Sequence, residues 1–264
     1  MLPDARTAVK RATEQASAED DARISGSAGR LAVKRTIALR RHTGLRRFAY
    51  QNGLVLVFTG LFLLSFVGQV LTGRAEYNEE QRTHGKPAAS LRGYLGSGAF
   101  LEATAENWES EFLQMALFVV LTVFLYQRGS SESKDLTAPE AVDQRPEEAR
   151  DDPRAPWPVR RGGVPLALYK HSLSIALFAM FAVSFVLHAV GGAIEYSETQ
   201  VAHGGQPVST MGYLATSRFW FESLQNWQSE FMSVAMLVLL TIWLREQGSP
   251  QSKPVASPSS NTGE

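Results

Sequence analysis

The chain has no cysteine among its 264 residues. That excludes disulfides, thiolate metal sites and cysteine nucleophiles. It also has no net charge, with 26 basic residues balancing 26 acidic ones, which argues against a nucleic-acid binder held by bulk charge. No Walker loop, dinucleotide fingerprint, HExxH pair or nucleophile elbow is present. The serines of the polar segments have no catalytic context, so no catalytic residue, enzyme activity or cofactor is expected. The average hydropathy is slightly negative, as in a soluble protein, but the average hides a strong segregation.

Charge is missing altogether from two long stretches. Between Arg47 and Arg74 there is no Asp, Glu, Lys or Arg, and the same holds between Lys170 and Glu195. About 20 apolar residues in a helix cross a roughly 30 Å hydrocarbon layer, so both stretches read as membrane spans, about 48–73 and 167–192. Two shorter apolar runs, 112–126 and 231–244, reach spanning length if their helices begin near Asn107 and Asn226. That gives spans at about 107–126 and 226–244. Trp108 and Trp227 then fall at the interface, where tryptophan is favoured. Helices of this length that are apolar all round are rare as buried cores of a soluble domain.

Basic residues crowd the cytoplasmic ends expected from this layout. Arg40, Arg41, Arg46 and Arg47 precede the first span, Arg160, Arg161 and Lys170 precede the third, and Arg218 alone lies between the third and fourth. The positive-inside rule places both termini and the central linker in the cytoplasm. The expected location is the bacterial cytoplasmic (inner) membrane, multi-pass.

The chain overlays itself at an offset of 119, as in Tyr50 and Tyr169. Ser65-Phe66-Val67 meets Ser184-Phe185-Val186, Glu76-Tyr77 meets Glu195-Tyr196, and His84-Gly85 meets His203-Gly204. Gly93-Tyr94-Leu95 meets Gly212-Tyr213-Leu214, and Ser133-Lys134 meets Ser252-Lys253. Roughly 32 identities fall in about 85 ungapped positions, the mark of a tandem duplication. With two spans in each copy, the copies enter from the same side and are parallel.

The expected architecture is all-α and integral to the membrane, with four transmembrane helices as two tandem hairpin repeats. A short outer interfacial helix precedes the second span of each repeat. Residues 1–47 form a basic, largely disordered cytoplasmic arm, with a candidate amphipathic helix at 31–45. Residues 48–128 are the first membrane repeat and 165–247 the second. The Pro-rich, charged segment 129–164 and the tail 248–264 read as disordered cytoplasmic linker and tail.

Certain side chains are candidates for chemistry. The repeated outer motif E-Y-x-E-x-Q-x-x-H-G offers Glu76, Glu79 and His84, and again Glu195, Glu198 and His203. Carboxylates and imidazoles are ligands for divalent metals, and Glu111 and Glu230 on the next spans could add oxygens or take protons. The bland alternative is that the glycine ends a helix while His and Glu meet water. Within the bilayer, Ser65 and Gln69, and at equivalent places Ser184 and His188, could bond between helices or line a path.

The pattern of RRFxxxNGL (Arg46 to Leu54), EYNEEQRTHG, GYL, NWESEF and the closing RGSSESK resembles an uncharacterised prokaryotic family of multi-pass membrane proteins, domain of unknown function 6766. The second copy, with EYSETQVAHG, NWQSEF and EQGSPQSK, follows the same pattern. The resemblance covers about residues 46–253. It implies two repeats and an inner-membrane location, and it implies no reaction.

Three functions remain open on the sequence. They are a non-enzymatic envelope or interaction protein, a small cation or proton transporter or channel, and an outer-face divalent-metal-binding protein. The expected partners are the lipid bilayer and, as candidates, a second copy of the chain or other membrane proteins. Nucleic acid is not among them.

Overall fold

The computed structural model describes Gly29, residues 43–135 and residues 137–263. The basic arm expected at residues 1–47, with its amphipathic helix at 31–45, lies almost wholly outside the described residues. The described chain is helical, with no strand among the described residues.

The described residues up to Gln69 belong to one unit and those from Val70 onward to a second. In chain order the helices are α1 (Gly44–Gln51), α2 (Gly53–Thr83), α3 (Leu91–Leu95), α4 (Gly98–Phe124), α5 (Trp157–Arg161), α6 (Gly163–Lys170), α7 (Ser172–Ala202), α8 (Thr210–Leu214) and α9 (Ser217–Leu240). Two of them, α2 and α7, are long and apolar enough to cross a membrane. Both run on past the apolar stretch, so Glu76 and Glu79, and Glu195 and Glu198, sit on the same helices within about two turns of its end, and His84 and His203 follow directly after the helices stop.

The helix boundaries recur at the offset seen in the sequence. Adding 119 to the bounds of α1, α2 and α3 gives those of α6, α7 and α8. The reasons are local and repeated. Ser90 and Ser209 cap α3 and α8 by accepting from the amides of Gly93 and Gly212, both at 3.1 Å. Ser97 and Thr216 cap α4 and α9 through the amides of Phe100 and Phe219. Each such cap contributes about 1 kcal/mol. Gly85 and Gly204 take φ of 69° and 81°, the left-handed conformation that stops a helix and that glycine adopts at least cost. One turn, α3 or α8, then re-enters a long helix, where the sequence suggested a single interfacial helix leading into the span.

The exit motif G-S-x-x-S-K also builds one turn twice. Gly129 and Gly248 have φ of 85° and 89°. Ser133 Oγ accepts from the amide of Gln127 at 3.0 Å, and Ser252 Oγ accepts from that of Glu246 at 2.9 Å. The segment after α4 and the tail after α9 meet there. Ser130 Oγ lies 2.9 Å from Thr241 Oγ1, and the buried Lys253 donates to the carbonyls of Gly129, Ser259 and Asn261. Between these segments the linker forms two short 3-10 turns, Ala141–Asp143 and Pro146–Ala149.

In the second unit α4 packs most extensively on α7. The two backbones touch at glycines. A Cβ on Gly98 would stand 2.7 Å from Glu195 N and 2.8 Å from Gly191 O, and one on Gly191 would stand 2.6 Å from Glu102 N. This close approach brings the polar side chains of α4 and α7 face to face. A small apolar cluster of Ala189, Ala193, Tyr213 and Phe219 seals the neighbouring space, with Phe185, Tyr196 and Leu214 against it.

Candidate functional site

The largest concentration of buried charge lies where α4, α7, α8 and α9 meet. His188 on α7 and Glu109 on α4 have no exposed side-chain surface at all. His188 Nδ1 is 2.7 Å from Glu109 Oε2, and Trp227 donates its indole N–H to Glu109 Oε1 at 3.0 Å. Both oxygens of Glu109 are therefore satisfied, and the imidazole is oriented with Nε2 pointing away from it. His188 Nε2 is buried with no hydrogen-bond partner. Its nearest acidic atom is Glu222 Oε2 at 3.8 Å, too far for a hydrogen bond. The ring of Phe219 covers the imidazole, with centroids 4.8 Å apart and planes tilted by 31°.

Around Nε2 stand two more carboxylates. Tyr213, fully buried, donates its hydroxyl toward Glu102 Oε1 at 3.1 Å and toward Glu222 Oε2. Arg218 donates Nε to Glu222 Oε1 at 2.7 Å, and its Nη2 lies 3.8 Å from Glu102 Oε1. Asn226 bonds Glu106 on the opposite helix. Among the described residues, the one group of three or more His, Asp or Glu side chains that could hold a metal ion is Glu102, His188 and Glu222. Their ligand atoms lie within 4.8 Å of one another.

Glu102 and Glu222 lie outside the stretches read as membrane spans, and their environments pull them apart. Burial, reinforced by the charge of Glu222, pushes Glu102 up to about 7 despite Arg218 and the Tyr213 hydrogen bond. Burial acts on Glu222 in the same sense, but the nearby His188 imidazole and hydrogen bonds from Tyr213 and Arg218 outweigh it and hold that carboxyl at about 2. Two carboxylates facing one tyrosine thus differ in proton affinity, the situation that assigns acid and base roles in a polar site. Tyr213 itself is raised far above the usual range by burial and by the two carboxylates it faces.

The residues singled out from the sequence are distributed differently. Ser184 and His188 are buried, whereas Ser65 is exposed and Gln69 half-buried. Glu76, Glu79, His84, Glu111 and His203 are exposed, and Glu195, Glu198 and Glu230 are half-buried. His84 Nδ1 lies 2.9 Å from the carbonyl of Glu80, and His203 Nδ1 lies 2.8 Å from that of Thr199. Each His-Gly pair thus ends its helix in the same way, and the two rings stand 5.9 Å apart, edge to face. Glu195 keeps one oxygen buried without a hydrogen bond. Trp108 is half-buried, and Trp227, expected to anchor at the interface, turns its N–H inward to Glu109.

Sequence reasoning passed over Glu102, Glu106, Glu109, Tyr213, Arg218, Glu222 and Asn226 as members of a site. One signal could have found most of them. At the 119-residue offset, Glu102 corresponds to Phe221, Glu106 to Gln225 and Glu109 to Gln228. Arg218 corresponds to Ala99, Glu222 to Ala103 and His188 to Gln69. The charges of the network are those that only one copy carries.

No curated protein and no solved structure matches the chain. A family model described as a domain of unknown function does match, over residues 45–264, more than four-fifths of the chain. The chain belongs to that family, DUF6766.

Proposed function

We propose that the chain is a non-enzymatic, four-span protein of the bacterial cytoplasmic membrane that handles a proton or another cation at the buried network of α4, α7 and α9. In this reading the spans form two parallel hairpin repeats and both termini are cytoplasmic. Its support is physical. At about 1.5 Å per residue, residues 107–124 of α4 and 226–240 of α9 supply roughly 27 Å and 22 Å of apolar helix, and the apolar residues up to 126 and 244 extend both toward the roughly 30 Å of a hydrocarbon core.

One observation carries the functional part: His188 and Glu109, both without exposed side-chain surface, are joined within helices of the bundle. Ionisable groups are costly there, and a well-packed apolar core of the same volume is as stable or more so. Such groups in membrane helices line ion and proton pathways.

The test is flux. The full chain reconstituted in liposomes passes protons or a cation down an imposed gradient, and Glu109→Gln abolishes the flux while the protein stays monodisperse. Vesicles as tight as protein-free controls under proton, monovalent and divalent gradients would overturn the reading.

A second reading, an envelope or interaction protein, rests on the length and apolar composition of α2. It calls for covering that helix with lipid or another polypeptide. Cross-linking in nanodiscs from positions on α2 distinguishes the two: a discrete dimer band supports association, and lipid adducts alone do not.

A further inference from the structure

We infer that Glu102, His188 and Glu222 form a binding site for a divalent first-row transition cation of the Zn2+ or Mn2+ class, with Glu109 orienting the imidazole. The inference deepens the cation-handling reading and takes its location from it.

Four features converge on this chemistry. First, the donor set is one imidazole nitrogen and two carboxylates, which suits zinc, manganese or ferrous iron better than the all-oxygen preference of Mg2+ or Ca2+. Second, the imidazole is presented as a ligand. Its Nδ1–H is engaged by Glu109 at 2.7 Å, the carboxylate–histidine pairing that fixes the tautomer and raises the basicity of the other nitrogen in metal sites. Third, that other nitrogen, Nε2, is fully buried and has no hydrogen-bond partner. A buried nitrogen left without a bond costs free energy that a ligand recovers. Fourth, the distances are within reach. Ligand atoms about 2.1 Å from one ion stand roughly 3–3.5 Å apart, and here all three sets lie within 4.8 Å, so closing the site takes movement on the order of 1 Å.

Charge agrees. With Glu102 giving up its proton when an ion binds, Glu102, Glu109 and Glu222 bring three negative charges against the one positive charge of Arg218, an excess of the sign a cation requires. Arg218 bonds Glu222 through Oε1, which leaves Oε2 for the ion. Tyr213 now bridges Glu102 and Glu222 with its hydroxyl, and the ion would take over that bridging role. Phe219 closes one face of the imidazole and limits access by water.

The experiment uses the full chain in lipid nanodiscs, stripped with chelator and titrated with Zn2+, Mn2+, Mg2+ and Ca2+. Bound metal is read by elemental analysis, and Co2+ is used as a spectroscopic stand-in. About one Zn2+ or Mn2+ per chain is expected, together with a Co2+ absorption band of a low-symmetry nitrogen–oxygen site. His188→Gln, which places in this copy the residue found at position 69, is expected to lose both, and Glu222→Gln to weaken binding at least tenfold. Circular dichroism and size-exclusion profiles show whether each variant is folded.

No bound transition metal, or binding that survives His188→Gln and disappears in a His84→Ala, His203→Ala double variant, would overturn the inference. Proton flux without bound metal would overturn it while leaving the cation-handling reading intact. Metal bound at His188 in vesicles that pass no ion would support it and remove the transport reading instead.

Discussion

Tyr94 and Tyr213 are the same residue at the same step of the sequence, 119 positions apart, and they sit in different chemistry. Both are buried and both press on a glycine. A Cβ on Gly73 would meet the Tyr94 hydroxyl at 2.2 Å, and one on Gly192 would meet the Tyr213 ring at 2.4 Å. Each tyrosine has a tyrosine beside it, Tyr77 or Tyr196, at 5.7 Å between centroids. Beyond that the halves part. Each tyrosine still packs edge-on against a phenylalanine at 5.5 Å, Phe100 or Phe219, but the positions corresponding to Arg218 and Glu222 are Ala99 and Ala103. Tyr213 bridges Glu102 and Glu222. The tyrosine and its aromatic and glycine neighbours are shared by the two halves, and the charges around Tyr213 are not. Shared packing accounts for a common fold, and charge on one side only is what a single binding or conduction site requires.

The comparison can be broken most severely at Glu109. Glu109→Ala strands His188 Nδ1 and the Trp227 indole in a fully buried place. It is expected to cost about 3–5 kcal/mol, the range for breaking a buried ion pair, seen as a large fall in melting temperature in detergent. At the corresponding position in the other copy, Gln228 is exposed, and Gln228→Ala is expected to stay within about 0.5 kcal/mol of wild type.

The glycine contact comes next. Gly191→Ala drives a methyl against the backbone of Glu102 and is expected to cost about 1–3 kcal/mol, the usual price of overpacking. Position 72, which corresponds to Gly191, is already threonine, so the first repeat lacks a glycine at this place.

Tyr213→Phe removes the hydroxyl between two carboxylates and is expected to cost about 1–2 kcal/mol. Tyr94→Phe, which loses no carboxylate partner, is expected to cost a few tenths. Equal losses in paired melts would erase the difference between the halves.

The smallest effect is on pH dependence in metal-free protein. Glu102 is raised from the ordinary 4.5 to about 7. The folded state therefore favours its neutral form, and stability falls as pH rises from about 4.5 to about 7, then levels. Glu222 is lowered from 4.5 to about 2, so its contribution is present above 4.5 and lost as pH falls toward 2. Melting temperature against pH should flatten on the upper limb in Glu102→Gln and on the lower limb in Glu222→Gln.

Much of the helical layout was legible in the sequence. The charge-free stretches marked the cores of α2 and α7, and the 119-residue offset relates their ends because caps and stop glycines are local signals. The His-Gly motif was legible too, though its chemistry is that of a helix end: both imidazoles hydrogen-bond the carbonyl four residues back. The network was less legible for a physical reason. Glu102, His188 and Glu222 lie on three helices and meet only because α4 and α7 approach at Gly98 and Gly191, a contact that no periodicity encodes. His188 stood out because it is ionisable inside an apolar run. Glu109 and Glu222 did not, because neither recurs at the 119-residue offset, where Gln228 and Ala103 stand.

The measurement that tests this most directly sets the two classes of residue side by side. Ion flux and metal content are determined in the same liposome preparations for wild type, His188→Gln and the His84→Ala, His203→Ala double variant. Loss of flux and of bound metal in His188→Gln is the expected result. Wild-type flux and metal in His188→Gln, with both lost in the double variant, would contradict the account and return the function to the repeated outer motif.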